Sequence, residues 1–159
     1  MEGSFMNISL DKTDRKLLQL LQQDGRKSNA ELAEMANISP ATCHRRVDRL
    51  FKQGVVKSVR AELNPADIDL GALVIVGVVL DRSTPESFAE FEAAIVKLKM
   101  IIDCQLVAGE FDYFLKIRVK DMASFNQLHA NHLLALPGVR QIRTFFVMKE
   151  VKENAPLAF

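Results

Sequence analysis

Tryptophan is absent from this 159-residue sequence, and cysteine nearly so. Cys43 and Cys104 stand far apart with no CxxC spacing, which argues against a disulfide framework or a cysteine metal site and predicts a reducing, cytoplasmic setting. Long apolar runs are missing too. The longest, Ala72 to Leu80, falls far short of the ~20 residues a membrane span requires, so no membrane association is expected. No hydrophobic run follows a basic start, so no signal peptide is read; Met1 to Phe5 read as an alternative start or a leader, with Met6 a candidate first residue. Phosphate-cradling glycine loops, metal-ligand spacings and nucleophile–base pairs are also lacking. The one hint of catalysis is His129 and His132, spaced i, i+3, a pattern that more often marks a helix surface. The expectation is a non-enzyme without metal or cofactor.

Excess charge is lacking as well. The net charge of +1 argues against a uniformly basic nucleic-acid coat protein. The charge is nonetheless unevenly spread. Residues 1–63 hold 11 Lys/Arg against 8 Asp/Glu, whereas residues 64–159 hold 10 against 12. Between 42 and 60 stand six basic residues and one acidic residue, Asp48. A local basic patch on a near-neutral chain attracts phosphate without binding every polyanion.

That patch falls on the stretch Ser28–Gln53. Upstream, Leu10, Leu17, Leu20 and Leu21 form an apolar stripe on a helix over ~11–24, capped by Asp11 with Asp14 three residues on and stopped at Gly25. Ser28 and Glu31 form a capping box for a second helix with Leu32, Ala33 and Ala36 inward. Asn37-Ile38 turns the chain. Ser39 then caps a third helix, with Pro40 at its first position, where a missing N–H costs nothing. Cys43, Val47, Leu50 and Phe51 are expected on its buried face, and Thr42, Arg45, Arg46 and Arg49 on the other. Arginine on such a face can contact a phosphate or fork onto guanine. A capped helix pair with a basic second member predicts a helix-turn-helix that enters a groove of double-stranded DNA. His44 is read as touching DNA or flanking the groove. Val55–Leu63 reads as a strand, broken at Asn64-Pro65.

Beyond it the pattern changes. A strand at Ala72–Leu80, a helix from Pro85 to about Lys97, strands at Met100–Val107 and Asp112–Val119, a helix at Met122–Leu136 and a strand at Val139–Lys149 give the order β-α-β-β-α-β. Both helices should cover one face of the sheet. The first and last strands are apolar on both faces, so the second face is expected to be buried by another copy of the chain. The fold class expected is α+β: an N-terminal three-helix, winged-helix-like helix-turn-helix domain (1–54), a connecting strand and hinge (55–70), a ferredoxin-like βαββαβ domain (71–151) and a tail (152–159).

The segments LDKTDRKLLQLLQQDGRKSNAELAE, SPATCHRRVDRLFKQGVV, LVAGEFDYFLKIRVKDM and LPGVRQIRTFFVMKEVK, in this order, resemble the Lrp/AsnC, or feast/famine, family of transcription regulators. The resemblance implies a sequence-specific DNA-binding regulator tuned by a small effector, usually an amino acid. It also implies homodimers that assemble to tetramers, octamers or larger. Effector pockets are implied between subunits near a Gly-acid-Phe-Asp loop, here Gly109, Glu110, Phe111 and Asp112, with Leu106 before it. Met122, Phe145, Phe146 and Val147 match further effector-response positions. The DNA-contact set expected is Ser39, Ala41, Thr42, His44, Arg45, Arg46 and Arg49. Thr42 stands where many members carry a second proline, and His44 where leucine is frequent, so base preference is not carried over. The competing functions are an architectural DNA-compacting protein and a haem-precursor decarboxylase-like enzyme.

Overall fold

The computed structural model describes residues 8–159, which form two compact units. The first holds the chain up to Glu62 together with Lys152–Phe159; the second is Leu63–Val151. The expectation that Met6 begins the native chain lies outside the described residues.

The first unit is built on three helices, α1 (Lys12–Gln23), α2 (Asn29–Met35) and α3 (Pro40–Lys52). Each begins where the sequence offers an N-cap. Asp11 and Asp14 form a reciprocal capping box on α1, as Ser28 and Glu31 do on α2, and Ser39 Oγ accepts from the Thr42 N–H on α3. The turn between α2 and α3 places Asn37 at φ 53°, a left-handed conformation asparagine tolerates. Leu17, Leu20, Leu32, Ala33 and Cys43 form the core, with Leu21, Ala36, Ile38 and Val47 packed against it. Full burial of a leucine contributes roughly 1.5–3 kcal/mol, so so small a core leaves little reserve. Phe51, expected inside, is instead exposed in the last turn of α3, where Leu50 beside it is fully buried.

The expected strand at Val55–Leu63 does not form. Val55 and Val56 donate to the Leu50 carbonyl, finishing the helix end, and the rest runs without a neighbouring strand to pair with. The final residues join this unit. Gln22 brackets Leu157, donating to its carbonyl (3.1 Å) and accepting from its N–H (2.8 Å), while Gln19 donates to the Phe159 carbonyl (3.0 Å).

The second unit contains β1 (Ala72–Leu80), α4 (Pro85–Ile95), β2 (Ile101–Leu106), β3 (Tyr113–Val119), α5 (Met122–Leu128) and β4 (Val139–Phe146). The antiparallel sheet has the order β2-β3-β1-β4, the arrangement that β-α-β-β-α-β connectivity predicts. Every element but β1 is shorter than read from sequence, the last helix and the last strand most of all. The helix at 122–136 is α5 followed by a π-helical turn, His129–Leu133, and β4 stops at Phe146, where Val147 donates to the Leu73 carbonyl.

The two faces of the sheet differ. Val74, Val76, Val78 and Leu80 of β1 and Tyr113, Leu115, Ile117 and Val119 of β3 point to one face, where Phe91, Ile95, Phe125, Leu128, Leu133 and Leu136 cover them. Tyr113 is the one polar group in that cluster; its hydroxyl donates to Glu92 Oε1 (2.8 Å), and burial together with this carboxylate drives its pKa far up. The opposite face carries Leu73, Ile75, Gly77 and Val79 on β1, registered against Phe114, Lys116 and Arg118 on β3 and Gln141, Arg143 and Phe145 on β4.

Candidate DNA-reading helix and effector loop

The outward face of α3 is set by which positions its core contacts leave free. Cys43 and Leu50 are buried and Val47 is half-buried. Ala41, His44, Arg45, Asp48, Arg49 and Lys52 are exposed, a stripe at helical spacing. The expected DNA-contact residues do not share one situation within it. Ser39 and Thr42 are engaged with each other at the helix start, their hydroxyls 2.9 Å apart. His44 Nδ1 lies 3.2 Å from Asn29 Nδ2, joining α3 to α2. Ala41 and Arg45 face outward, and among the described residues Arg45 has no ion-pair partner.

Arg46 and Arg49 are turned toward α1. Arg46 Nη1 donates to Asp11 Oδ2 (2.6 Å) and Asp14 Oδ1 (2.9 Å), and Arg49 Nη2 donates to Asp14 Oδ2 (2.6 Å). The Asp14 side chain is 1% exposed, against 22% for Arg46 and 43% for Arg49. Arg46 therefore does not lie on the free face with Arg45. The backbone N–H of Asp14 and the guanidinium of Arg46 hold the Asp11 carboxyl below its ordinary pKa, and the two carboxylates raise that of Arg46. Asp11 and Asp14, legible in the sequence as capping residues, thus also hold arginines of α3. Asp48, the one acid of the basic stretch, shares the stripe with Arg45 and pairs with Lys52 at 2.8 Å. The signal for Asp48 was present in its spacing. Nothing local could have paired Asp14 with residues more than thirty positions on.

The second candidate site is the loop between β2 and β3. Val107 and Asp112 close it through the Val107 N–H and the Asp112 carbonyl (2.9 Å), and Gly109 sits near its tip at φ 157°. The loop folds onto β1. The Asp112 N–H donates to the Val78 carbonyl (2.9 Å), and Asp112 Oδ2 accepts from the Leu80 N–H (2.8 Å). Phe111 lies on Gly77, where an added Cβ would stand 2.7 Å from the ring. A glycine inside a strand often marks such a close approach. Gly77 is registered between Phe114 and Arg143, so the missing side chain leaves a notch that the Phe111 ring fills. Phe114 and Phe145 flank the ring at centroid distances of 5.2 and 6.4 Å. Arg143 completes the wall, its guanidinium 5.7 Å from the ring centroid and its Nη1 2.8 Å from Glu110 Oε1.

The structure groups the expected effector residues unequally. Glu110, Phe111 and Phe145 gather at the notch through Arg143 and the Phe111 ring, with Asp112 tied to β1 next to it and Gly109 at the loop tip. Phe146 points to the other face of the sheet, where its ring meets Phe125 edge-on at 5.3 Å. Met122 opens α5, Leu106 ends β2 opposite Tyr113, and Val147 follows β4; Met122 and Leu106 are exposed. Gly77 and Arg143 were not anticipated. The in-strand glycine was the available clue to the first. The described residues contain no cluster of His, Cys, Asp or Glu suited to a metal ion, and none of their helices is long and apolar enough to cross a membrane.

Comparison with known proteins identifies the two domains on which these candidate sites lie. Residues 10–50 match the AsnC-type helix-turn-helix domain, and residues 73–157 match the Lrp/AsnC ligand binding domain. The leucine-responsive regulatory protein of Salmonella typhimurium is 47% identical over 145 residues, covering 91% of this chain and 88% of the relative. That of Escherichia coli (strain K12) is 46% identical over the same shares. Among solved structures, a transcriptional regulator of Neisseria meningitidis in complex with L-Met superposes with a TM-score of 0.89 at 35% identity, covering 94% of this chain and 97% of that one. These relatives are regulators rather than enzymes, and the decarboxylase alternative is set aside. The chain belongs to the Lrp/AsnC family of DNA-binding transcriptional regulators, with an AsnC-type helix-turn-helix and an Lrp/AsnC ligand-binding domain.

Proposed function

We propose that this regulator reads DNA through the outward face of α3, in the domain expected at 1–54, and that an amino acid bound at the Gly109–Asp112 loop of the domain at 71–151 sets its DNA affinity. The observation that carries the first part is Arg45, an exposed cation at the centre of the α3 stripe, flanked by Ala41 and His44. Its guanidinium is free to fork onto a base or a phosphate. Ser39 and Thr42, at the helix start, supply hydroxyls and the N-terminal end of the dipole to a phosphate.

Chemistry supports the second part. Exposed Glu110 and the neighbouring Asp112 suit an α-ammonium group, and loop N–H groups suit an α-carboxylate. The aromatic wall of Phe111, Phe114 and Phe145 beside the loop suits an apolar side chain, in keeping with the L-Met bound by the Neisseria relative. Leu106, Met122, Phe146 and Val147 stand apart from the notch in one chain. They take part by lining the same pocket from a second copy, which also covers the open sheet face. The working species is thus a homodimer that builds to tetramers and octamers, acting in the cytoplasm where DNA and free amino acids meet.

Two measurements test this. A thermal-shift screen against the twenty amino acids should find one that raises the midpoint, since a ligand at a hundred times its Kd stabilises the folded state by about 2.7 kcal/mol. No shift with any of them counts against an amino-acid effector. Arg45→Ala should weaken binding to a duplex enriched by the unsubstituted protein by ~1–3 kcal/mol if Arg45 forks onto a base, with an unchanged melting midpoint. Unaltered affinity at fixed salt removes Arg45 from the interface.

A further inference from the structure

Asp14 does more than its position requires. A capping box functions with an exposed acid, as Glu31 shows on α2, where the same reciprocal bonds form at the surface. Asp14 makes its capping bonds with Asp11 (2.8 and 3.2 Å) and is buried as well, each of its oxygens taken by a different arginine of α3. Asp11 adds a second carboxylate on Arg46. The Arg46 guanidinium is drawn in far enough that its buried Nε has no hydrogen-bond partner. Two of the three arginines on the recognition helix thus face carboxylates on another helix, in the charge-assisted contacts they would otherwise offer to phosphate oxygens.

We propose that Asp14, assisted by Asp11, is a specificity-determining positioning residue, which keeps Arg46 and Arg49 off the phosphate backbone and leaves Arg45 as the arginine of α3 that reads DNA. This rests on α3 being the DNA-reading helix. The two acids subtract sequence-independent attraction from the helix and fix its roll against α1. Affinity from phosphate contacts is blind to sequence, so withholding two cations costs total affinity while raising the ratio of specific to nonspecific binding.

The full-length protein carrying Asp14→Asn or Asp11→Asn is compared with the unsubstituted chain by fluorescence anisotropy. One probe is a duplex of about 30 base pairs enriched from a random pool by the unsubstituted protein; the other is a random-sequence duplex of equal length, both followed from about 50 to 200 mM KCl. In Asp14→Asn, nonspecific affinity should rise and the slope of log affinity against log salt should steepen by about 1 to 2, as Arg49 is freed to reach a phosphate and Arg46 keeps only Asp11. The ratio of specific to nonspecific affinity should fall about tenfold. Asp11→Asn, which removes one bond to Arg46 alone, should move slope and ratio the same way by less. Adding Arg46→Gln and Arg49→Gln to Asp14→Asn should restore the original slope.

A purely structural role lowers both affinities together and leaves slope and ratio unchanged, and that result overturns the proposal. If Asp14→Asn does not fold by circular dichroism, Asp11→Asn, at an exposed position, decides by the same criteria. An enriched duplex whose affinity ratio survives the substitutions sinks only the role of Asp14 and Asp11. A pool from which the unsubstituted protein enriches nothing sinks the DNA-reading function itself.

Discussion

Asp14 fastens α3 to α1 through charge, whereas Phe111 fastens its loop to the sheet through shape. The first contact is two arginines converging on one buried carboxylate at 2.6 and 2.9 Å. The second is a ring seated where Gly77 has no side chain. Each holds a functional segment against a scaffold, yet they respond to different disturbances. A charge contact feels protonation and ionic strength, while a packing contact feels volume to the level of a single methyl group. The units around them differ in the same sense. The first closes over a handful of core side chains and relies on polar caps; the second buries a continuous aliphatic and aromatic layer.

Three experiments press on this contrast. The largest effect is expected from Phe91→Ala, which empties the centre of the second unit's core. Such truncations cost ~3–5 kcal/mol, so the second unit's transition in a denaturant titration should shift strongly while that of the first stays put. A shift shared equally by both would mean the units do not unfold separately. Next comes Gly77→Ala. Its methyl would collide with the Phe111 ring, and overpacking of this kind costs ~1–3 kcal/mol. The loop should be expelled, seen as loss of hydrogen-exchange protection at the Asp112 N–H. Retained protection would show that the ring yields without freeing the loop.

The smallest effect is acid sensitivity. The first unit holds three carboxyls below their ordinary pKa: Asp11 and Glu31 chiefly through backbone N–H bonds in capping boxes, and Asp24 chiefly through the Arg26 N–H. In the second unit Asp121, capping α5, is lowered in the same way. A carboxyl lowered in the folded state stabilises it above the unfolded pKa, and that contribution is lost as pH falls through the folded value. The first unit's midpoint should therefore fall faster than the second's below about pH 4. A steeper fall in the second unit would contradict the assignment of polar caps to the first.

Much of this was legible in the sequence because it was local. Capping boxes, the proline opening α3 and the alternation of Tyr113, Leu115, Ile117 and Val119 each act within a few residues, and the elements formed where those signals stood. Phe51 was misplaced by extending a helical period to the last turn of α3, where the periodic position is exposed. The expected strand at 55–63 failed for a different reason: a strand needs a neighbour, and one chain supplies none there. The two contacts that hold the candidate sites together, Asp14 with Arg46 and Arg49, and Phe111 with Gly77, each join residues more than thirty positions apart. Their residue types were visible; the pairings were not, since only the tertiary fold brings them together.

The docking of the last residues on α1 has a topological consequence. Because Leu157 and Phe159 return to the unit in which the chain begins, the second unit is spliced into the first like an inserted cassette. The chain therefore crosses between the units twice, near residues 62 and 151, and the first unit is completed only by residues 152–159, added after the whole of the second.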